Sequence, residues 1–144
     1  MSGLNLVQVL NGLTFAALLF IVASGFTLIF GLLRIVNLAH GALYLFGGYI
    51  GYTVVGATGN FVLGVLASMV SIAGLGLFID QALLRFVRGF PLREVLLTLG
   101  VAFVLNDLAL VIWGGDTFSV QIPEFLRGAV RIGGVFYPKY RLFV

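Results

Sequence analysis

The sequence has 144 residues, of which 61% are hydrophobic and 9% are charged, and its mean hydropathy is +1.19. Soluble domains are nearer half apolar and a quarter charged, and a soluble fold of this size has too little interior to bury so much apolar surface. The composition therefore predicts an integral membrane protein with an all-α fold. Its 20 glycines favour closely packed transmembrane helices.

The net charge of +3 and the residue counts exclude several classes of function. The basic residues are scattered and form no dense patch of the kind that binds nucleic acid. The chain has no cysteine and only one histidine, His40, with no carboxylate near it at ligand spacing, so neither a metal nor another cofactor is expected. The only lysine, Lys139, cannot complete a phosphate-binding loop, and no catalytic motif is present. Nothing in the sequence predicts an enzyme.

Four apolar segments are long enough to cross a membrane, because about 20 helical residues span the hydrocarbon core. The first lacks charges and is too long for a signal peptide, so we expect a retained span. The residues at 140–144 resemble the start of a further apolar span, which predicts a fragment of a longer protein. The expected organisation is a polytopic bundle with spans at about residues 7–30, 35–55, 61–84 and 95–113, followed by a polar tail at 114–141.

The junction between the first two spans carries an unusual group of polar residues. Arg34, Asn37 and His40 lie between Gly31 and Gly41. Asn37 and His40 are three residues apart and would share a face of a helix. Polar groups in hydrocarbon usually face a bundle interior or a watery cavity. This predicts a broken helix near residues 31–41 that borders a polar pathway; the alternative is that both side chains only bond a neighbouring helix or lie at the interface.

The fourth span adds further candidates for the same pathway. Thr98, Ala102 and Asn106 recur at every fourth position and form one stripe of small or polar residues, and Asp107 follows this stripe. That carboxylate requires a partner, water or a proton at this depth, and a purely structural pairing is the alternative. The complete set of predicted pathway residues is Asn37, His40, Gly41, Thr98, Asn106 and Asp107.

Glycines and arginines predict the packing and the orientation of the spans. Gly25 and Gly31 are candidates for a helix break or for the close approach of another backbone, and Gly47 with Gly51 forms a small-xxx-small pair for close helix packing. Basic residues are equally numerous at 34–93 and in the tail, but they are densest in the short loop at 85–93, which therefore faces the cytoplasm and leaves the N-terminus outside. The predicted cytoplasmic boundary consists of Arg34, Arg85, Arg88 and Arg93.

Two motifs resemble those of a known family. Residues 25–31 (GFTLIFG) and 35–41 (IVNLAHG) closely resemble permease subunits of bacterial branched-chain amino acid ABC importers, and residues 80–88 resemble that family's E-R-x-x-x-R-P-x-R stretch. The resemblance implies the N-terminal half of a multi-pass permease in the bacterial inner membrane. It also implies four kinds of partner: the lipid bilayer, a second permease subunit, two cytoplasmic ATPase subunits and a periplasmic substrate-binding protein.

Three other functions compete with this interpretation. A stand-alone secondary transporter or channel would use Asp107 and His40 as proton-linked groups. A urea or amide permease of the same ABC type is a closer alternative. A membrane scaffold without transport activity would tolerate the replacement of Asn37 and His40 by leucine.

Overall fold

A computed structural model describes residues 3–34, 36–115, 118, 126–132 and 134–143. The chain divides into two compact units, one made of residues 26–120 and the other of residues 1–25 with 121–144. The described elements are α1 (Gly3–Leu33), α2 (His40–Thr58), α3 (Phe61–Ala82), a 3-10 turn (Leu84–Phe86), α4 (Pro91–Trp113), β1 (Ala129–Ile132), β2 (Val135–Pro138) and α5 (Lys139–Phe143).

The predicted all-α membrane bundle is confirmed. Among the described residues, three segments are helical, long and apolar enough to cross a membrane: Leu6–Leu32, Phe61–Phe86 and Pro91–Trp113. Helix α2 has 19 residues, but its glycines and tyrosines lower its hydropathy. A membrane-spanning role for α2 therefore stays a prediction.

The helix ends differ from the expected spans for local reasons. Helix α2 continues to Thr58 and stops at Gly59, whose φ of +68° favours glycine. Asn60 then begins α3 by accepting hydrogen bonds from the N–H groups of Val62 and Leu63. Helix α4 begins at Pro91 instead of residue 95, because proline suits the first helical position.

One face of α4 forms the centre of the unit made of residues 26–120. The buried residues on this face are Glu94, Thr98, Ala102, Leu105 and Ala109. Ala102 and Leu105 of this face pack in a hydrophobic core that also contains Ala39, Ala42, Ile79 and Leu84. Asn106, which was expected to continue the stripe of Thr98 and Ala102, is exposed instead. The buried face passes through Leu105 because 3.6 residues per turn do not keep a strict interval of four on one side.

Helices α2 and α3 approach each other closely along their small residues. A methyl group added to Gly51 would lie 2.8 Å from the Ser68 Oγ, and one added to Gly64 would lie 3.1 Å from the Gly51 carbonyl oxygen. The Ser68 hydroxyl is 2.8 Å from the Gly47 carbonyl oxygen, to which it donates a hydrogen bond. Glycine permits this separation because it has no side chain to hold the backbones apart.

The second unit contains a β-hairpin that the sequence interpretation did not include. Strands β1 and β2 pair antiparallel, with Ala129 opposite Pro138 and Ile132 opposite Val135. The Tyr137 side chain is almost fully buried, and its hydroxyl donates to Asn11 Oδ1 of α1 at 3.1 Å. The Gly133-Gly134 pair was used only as evidence against a helix, although two glycines between β-rich segments are also a hairpin signal.

Candidate functional site

The chain leaves helical geometry at Arg34, and α2 begins at His40. Arg34 has a φ of +54°, and its N–H still bonds the Phe30 carbonyl oxygen at 2.8 Å. A left-handed conformation is uncommon for a residue with a side chain. We call Arg34 and residues 36–39 the helix break. Gly25 and Gly31, predicted as helix breaks or packing positions, both lie inside α1, so neither breaks the helix; an isolated glycine weakens a helix without ending it. Their role in packing stays a prediction.

The Thr98 hydroxyl of α4 forms hydrogen bonds with the backbone of the helix break. Its hydroxyl oxygen accepts a hydrogen bond from the Leu38 N–H at 3.2 Å and lies 3.3 Å from the Val36 carbonyl and 3.0 Å from the Val95 carbonyl. The Thr98 side chain is fully buried. Backbone that has left a helix must find partners elsewhere when no water is present. Thr98, predicted as a pathway residue, therefore serves as a hydrogen-bond partner of this backbone. Because its side chain is fully buried, it exposes no surface to a solute.

Asn37 and His40 lie at the break, but they do not share a helical face as expected. Asn37 precedes α2, and its Oδ1 accepts a hydrogen bond from the Ala39 N–H at 3.0 Å. Its own carbonyl accepts from the His40 N–H at 3.3 Å. This local turn is typical of asparagine and places His40 as the first residue of α2. The centroid of the His40 ring lies 6.2 Å from the centroid of the Phe26 ring.

The other predicted pathway residues do not join this group. Gly41 is exposed in the first turn of α2, with open space where a side chain would lie. Asn106 and Asp107 are exposed on α4, about 12 Å along the helix from Thr98. Within the part of the chain that the structure describes, neither side chain makes a hydrogen bond or an ion pair. The structure thus brings together Asn37, His40 and Thr98 and separates Asn106 and Asp107 from them.

The predicted boundary arginines lie in or beside the two connections at one end of the helices. Arg34 belongs to the helix break, and Arg85, Arg88 and Arg93 surround the connection from α3 to α4. Arg88 forms an ion pair with Asp80 at 2.6 Å. Among the described residues, Arg85 and Arg93 form no ion pair of this kind.

An open apolar groove of about 890 Å³ runs along α2 and α3. Its lining includes the exposed side of the glycine contact and the residues Tyr44, Gly48, Tyr52, Val65, Met69 and Phe118. At one end the Trp113 indole stacks on Tyr49, with ring centroids 5.1 Å apart, and donates to the Thr53 hydroxyl at 2.8 Å. None of the six predicted pathway residues lines this groove.

Glu94 is a buried carboxylate that the sequence interpretation passed over. It is 5% exposed, and its Oε1 accepts a hydrogen bond from the Gly89 N–H at 2.9 Å. Gly89 has a φ of +86°, so the turn before α4 depends on a glycine and on a carboxylate that faces it. An acidic residue in the first turn after a proline was the available signal.

Comparison with known proteins addresses the resemblance noted in the sequence. Residues 8–139 match the family described as "Branched-chain amino acid transport system / permease component". The chain belongs to this family. The match covers both motif regions and all four long helices, so the resemblance inferred from the two motifs is confirmed.

Two relatives show how similar the chain is in sequence to curated permease proteins. The chain is 25% identical over 136 residues to the high-affinity branched-chain amino acid transport system permease protein LivH of Escherichia coli K12. It is 26% identical over 136 residues to BraD of Pseudomonas aeruginosa, which has the same description. Each alignment covers 88% of this chain and 44% of the relative, so the chain spans less than half the length of these proteins. No solved structure matches the chain.

Proposed function

We propose that the chain forms part of the translocation pathway of an ATP-driven importer for branched-chain or related small amino acids. The observation that carries the proposal is the helix break at Arg34 and residues 36–39, bonded by a buried hydroxyl of α4. Non-helical backbone that is shielded from water requires hydrogen-bond partners within the protein, and any group left over is available to a polar solute. In a chain of a permease component family, such a break is the natural place for a polar solute to pass.

The ends of the two helices at the break suit a zwitterionic amino acid. The end of α1 presents carbonyl groups and the start of α2 presents N–H groups, so the former attracts an ammonium and the latter a carboxylate. Discontinuous helices bind substrates in this way in other transporters. Asn37 uses its Oδ1 within the turn, which leaves its Nδ2 group to donate to a carboxylate. His40, at the first position of α2, places a titratable side chain at the start of that helix.

The proposal includes the partners that such an importer requires. A second permease subunit would complete the pathway, two cytoplasmic ATPase subunits would drive it, and a periplasmic binding protein would deliver the amino acid. The assembly would lie in the bacterial inner membrane. Because the helical backbone supplies most of the polar groups at the break, the choice among small amino acids would rest largely with the binding protein.

Uptake of radiolabelled leucine into proteoliposomes that contain the partner subunits tests the proposal. Uptake should require ATP on the ATPase side, and Asn37→Leu should lower it at least about tenfold, the equivalent of one lost hydrogen bond to a charged group. Ser71→Leu is the matched control, because Ser71 is an exposed polar residue of α3 far from the break in sequence. Uptake driven by a proton gradient without the ATPase would contradict the ATP-driven mechanism. Full uptake by Asn37→Leu would remove the helix break from the pathway.

A further inference from the structure

Two arginines at the connection from α3 to α4 lie over exposed phenylalanine rings. The guanidinium carbon of Arg85 is 4.5 Å from the centroid of the Phe86 ring, and that of Arg93 is 4.4 Å from the centroid of the Phe90 ring. Phe86 is 70% exposed and Phe90 is 53% exposed. Each pair therefore presents a cation and an aromatic ring on the same exposed surface.

The described acidic residues near these pairs are engaged elsewhere. Asp80 is occupied by Arg88, with both carboxylate oxygens 2.6 Å from the same guanidinium nitrogen. Glu94 is buried and faces the Gly89 N–H. Within the part of the chain that the structure describes, Arg85 and Arg93 form no ion pair.

An exposed phenylalanine and an exposed guanidinium require opposite surroundings. The ring is stable in hydrocarbon, whereas the cation requires water or an anion, and arginine side chains reach across this boundary by extending to the polar side. Both requirements are met together at the level of the lipid headgroups. Helices α3 and α4 are long and apolar enough to cross a membrane, and the connection between them lies at their ends. The guanidinium also matches the geometry of a phosphate, to which it donates two parallel hydrogen bonds.

We propose that Arg85 and Arg93 bind the phosphate groups of anionic phospholipids, while Phe86 and Phe90 insert among the acyl chains beneath them. Arg88, held by Asp80, contributes little to this site. The proposal does not depend on the transported substrate or on the ATPase. It requires only that α3 and α4 cross a bilayer.

The chain reconstituted in nanodiscs, with spin-labelled phosphatidylglycerol or phosphatidylcholine as the probe, tests this site. Electron paramagnetic resonance measures the fraction of each lipid that the protein immobilises. A preference for phosphatidylglycerol is expected, and Arg85→Gln or Arg93→Gln should each lower that preference about fivefold, since a basic residue near an anionic surface contributes this much. The preference should also fall as salt is raised, because the charges lie near the aqueous surface.

Two matched variants separate lipid binding from a structural effect. Arg131→Gln removes an exposed arginine of the hairpin and should leave the preference unchanged. Arg85→Lys keeps the charge without the paired donors and should keep most of the preference. Equal immobilisation of both lipids by the parent chain would overturn the proposal and would favour an acidic protein partner at this surface. A preference that survives both glutamine substitutions would overturn it as well.

Discussion

The replacement Thr98→Val tests directly whether the α4 hydroxyl holds the helix break. Valine has nearly the same shape as threonine but cannot bond the backbone of residues 36–38. An unpaired buried backbone group costs about 1–3 kcal/mol, whereas hydrogen bonds between membrane helices average about 0.6 and reach about 1.7 kcal/mol. Since the Leu38 N–H loses its acceptor and the single hydroxyl hydrogen near the Val36 and Val95 carbonyls is removed, we expect a cost of about 1–2 kcal/mol in total. This corresponds to an increase of about five- to thirtyfold in the population in which the break has opened.

A thiol at the buried position next to Leu38 reports that population. The chain contains no cysteine, so Ala39→Cys introduces a unique thiol at a site that is 1% exposed. Its rate of reaction with a water-soluble maleimide follows the opening equilibrium. The rate should rise about five- to thirtyfold on adding Thr98→Val, and Thr98→Ser, which keeps the hydroxyl, should leave it near the parent value.

Two outcomes would refute this reasoning. A Thr98→Val rate equal to the parent rate would mean that the hydroxyl does not hold the break. A Thr98→Ser rate as high as the valine rate would mean that any change of side chain at this position loosens the packing, and that the hydroxyl is not what holds the break. Thermal unfolding of the variants in detergent checks that Ala39→Cys alone has not loosened the core by overpacking.

Two further predictions concern stability, measured as the unfolding of the detergent-solubilised chain. Gly64→Ala should destabilise the chain by about 1–3 kcal/mol, because the added methyl would overlap Val55. Gly48→Ala is the control, because Gly48 has open space around it. Equal stability of the two variants would contradict the close contact of α2 and α3. Glu94→Ala should lower the free energy of unfolding by about 1–3 kcal/mol, because the Gly89 N–H loses its acceptor. Glu94→Gln keeps an acceptor and should keep most of the stability. An alanine variant as stable as the parent would show that this hydrogen bond is dispensable.

The membrane class, the long helices and the family were predictable, because they depend on composition, length and local motifs. The position of the break was predictable only to within a few residues. A sequence shows that Arg34, Asn37 and His40 interrupt an apolar run, but the residue at which a helix stops depends on partners such as Thr98, 60 residues away from Leu38.

The errors at individual sites have similar causes. The interval of four that linked Thr98 to Asn106 ignored the drift of a real helix, so Asn106 was placed on a face that it does not share. Glu94 was overlooked because its hydrogen-bond partner is the backbone N–H of Gly89. A backbone N–H occurs in nearly every residue, so the sequence does not show which one a carboxylate will bind. The hairpin was missed because Gly133-Gly134 was interpreted only as an interruption of helix.

The central claim is that the break between α1 and α2 borders an aqueous path for the substrate. Gly41→Cys places a unique thiol in open space at the start of α2, and Val70→Cys places one on the exposed apolar side of α3 as a lipid-facing control. In the assembled importer, in an intact bilayer, a membrane-impermeant maleimide should label the first variant and not the second, and leucine should slow the labelling. A thiol at position 41 that reacts only after detergent dissolves the bilayer, with no protection by leucine, would contradict the claim.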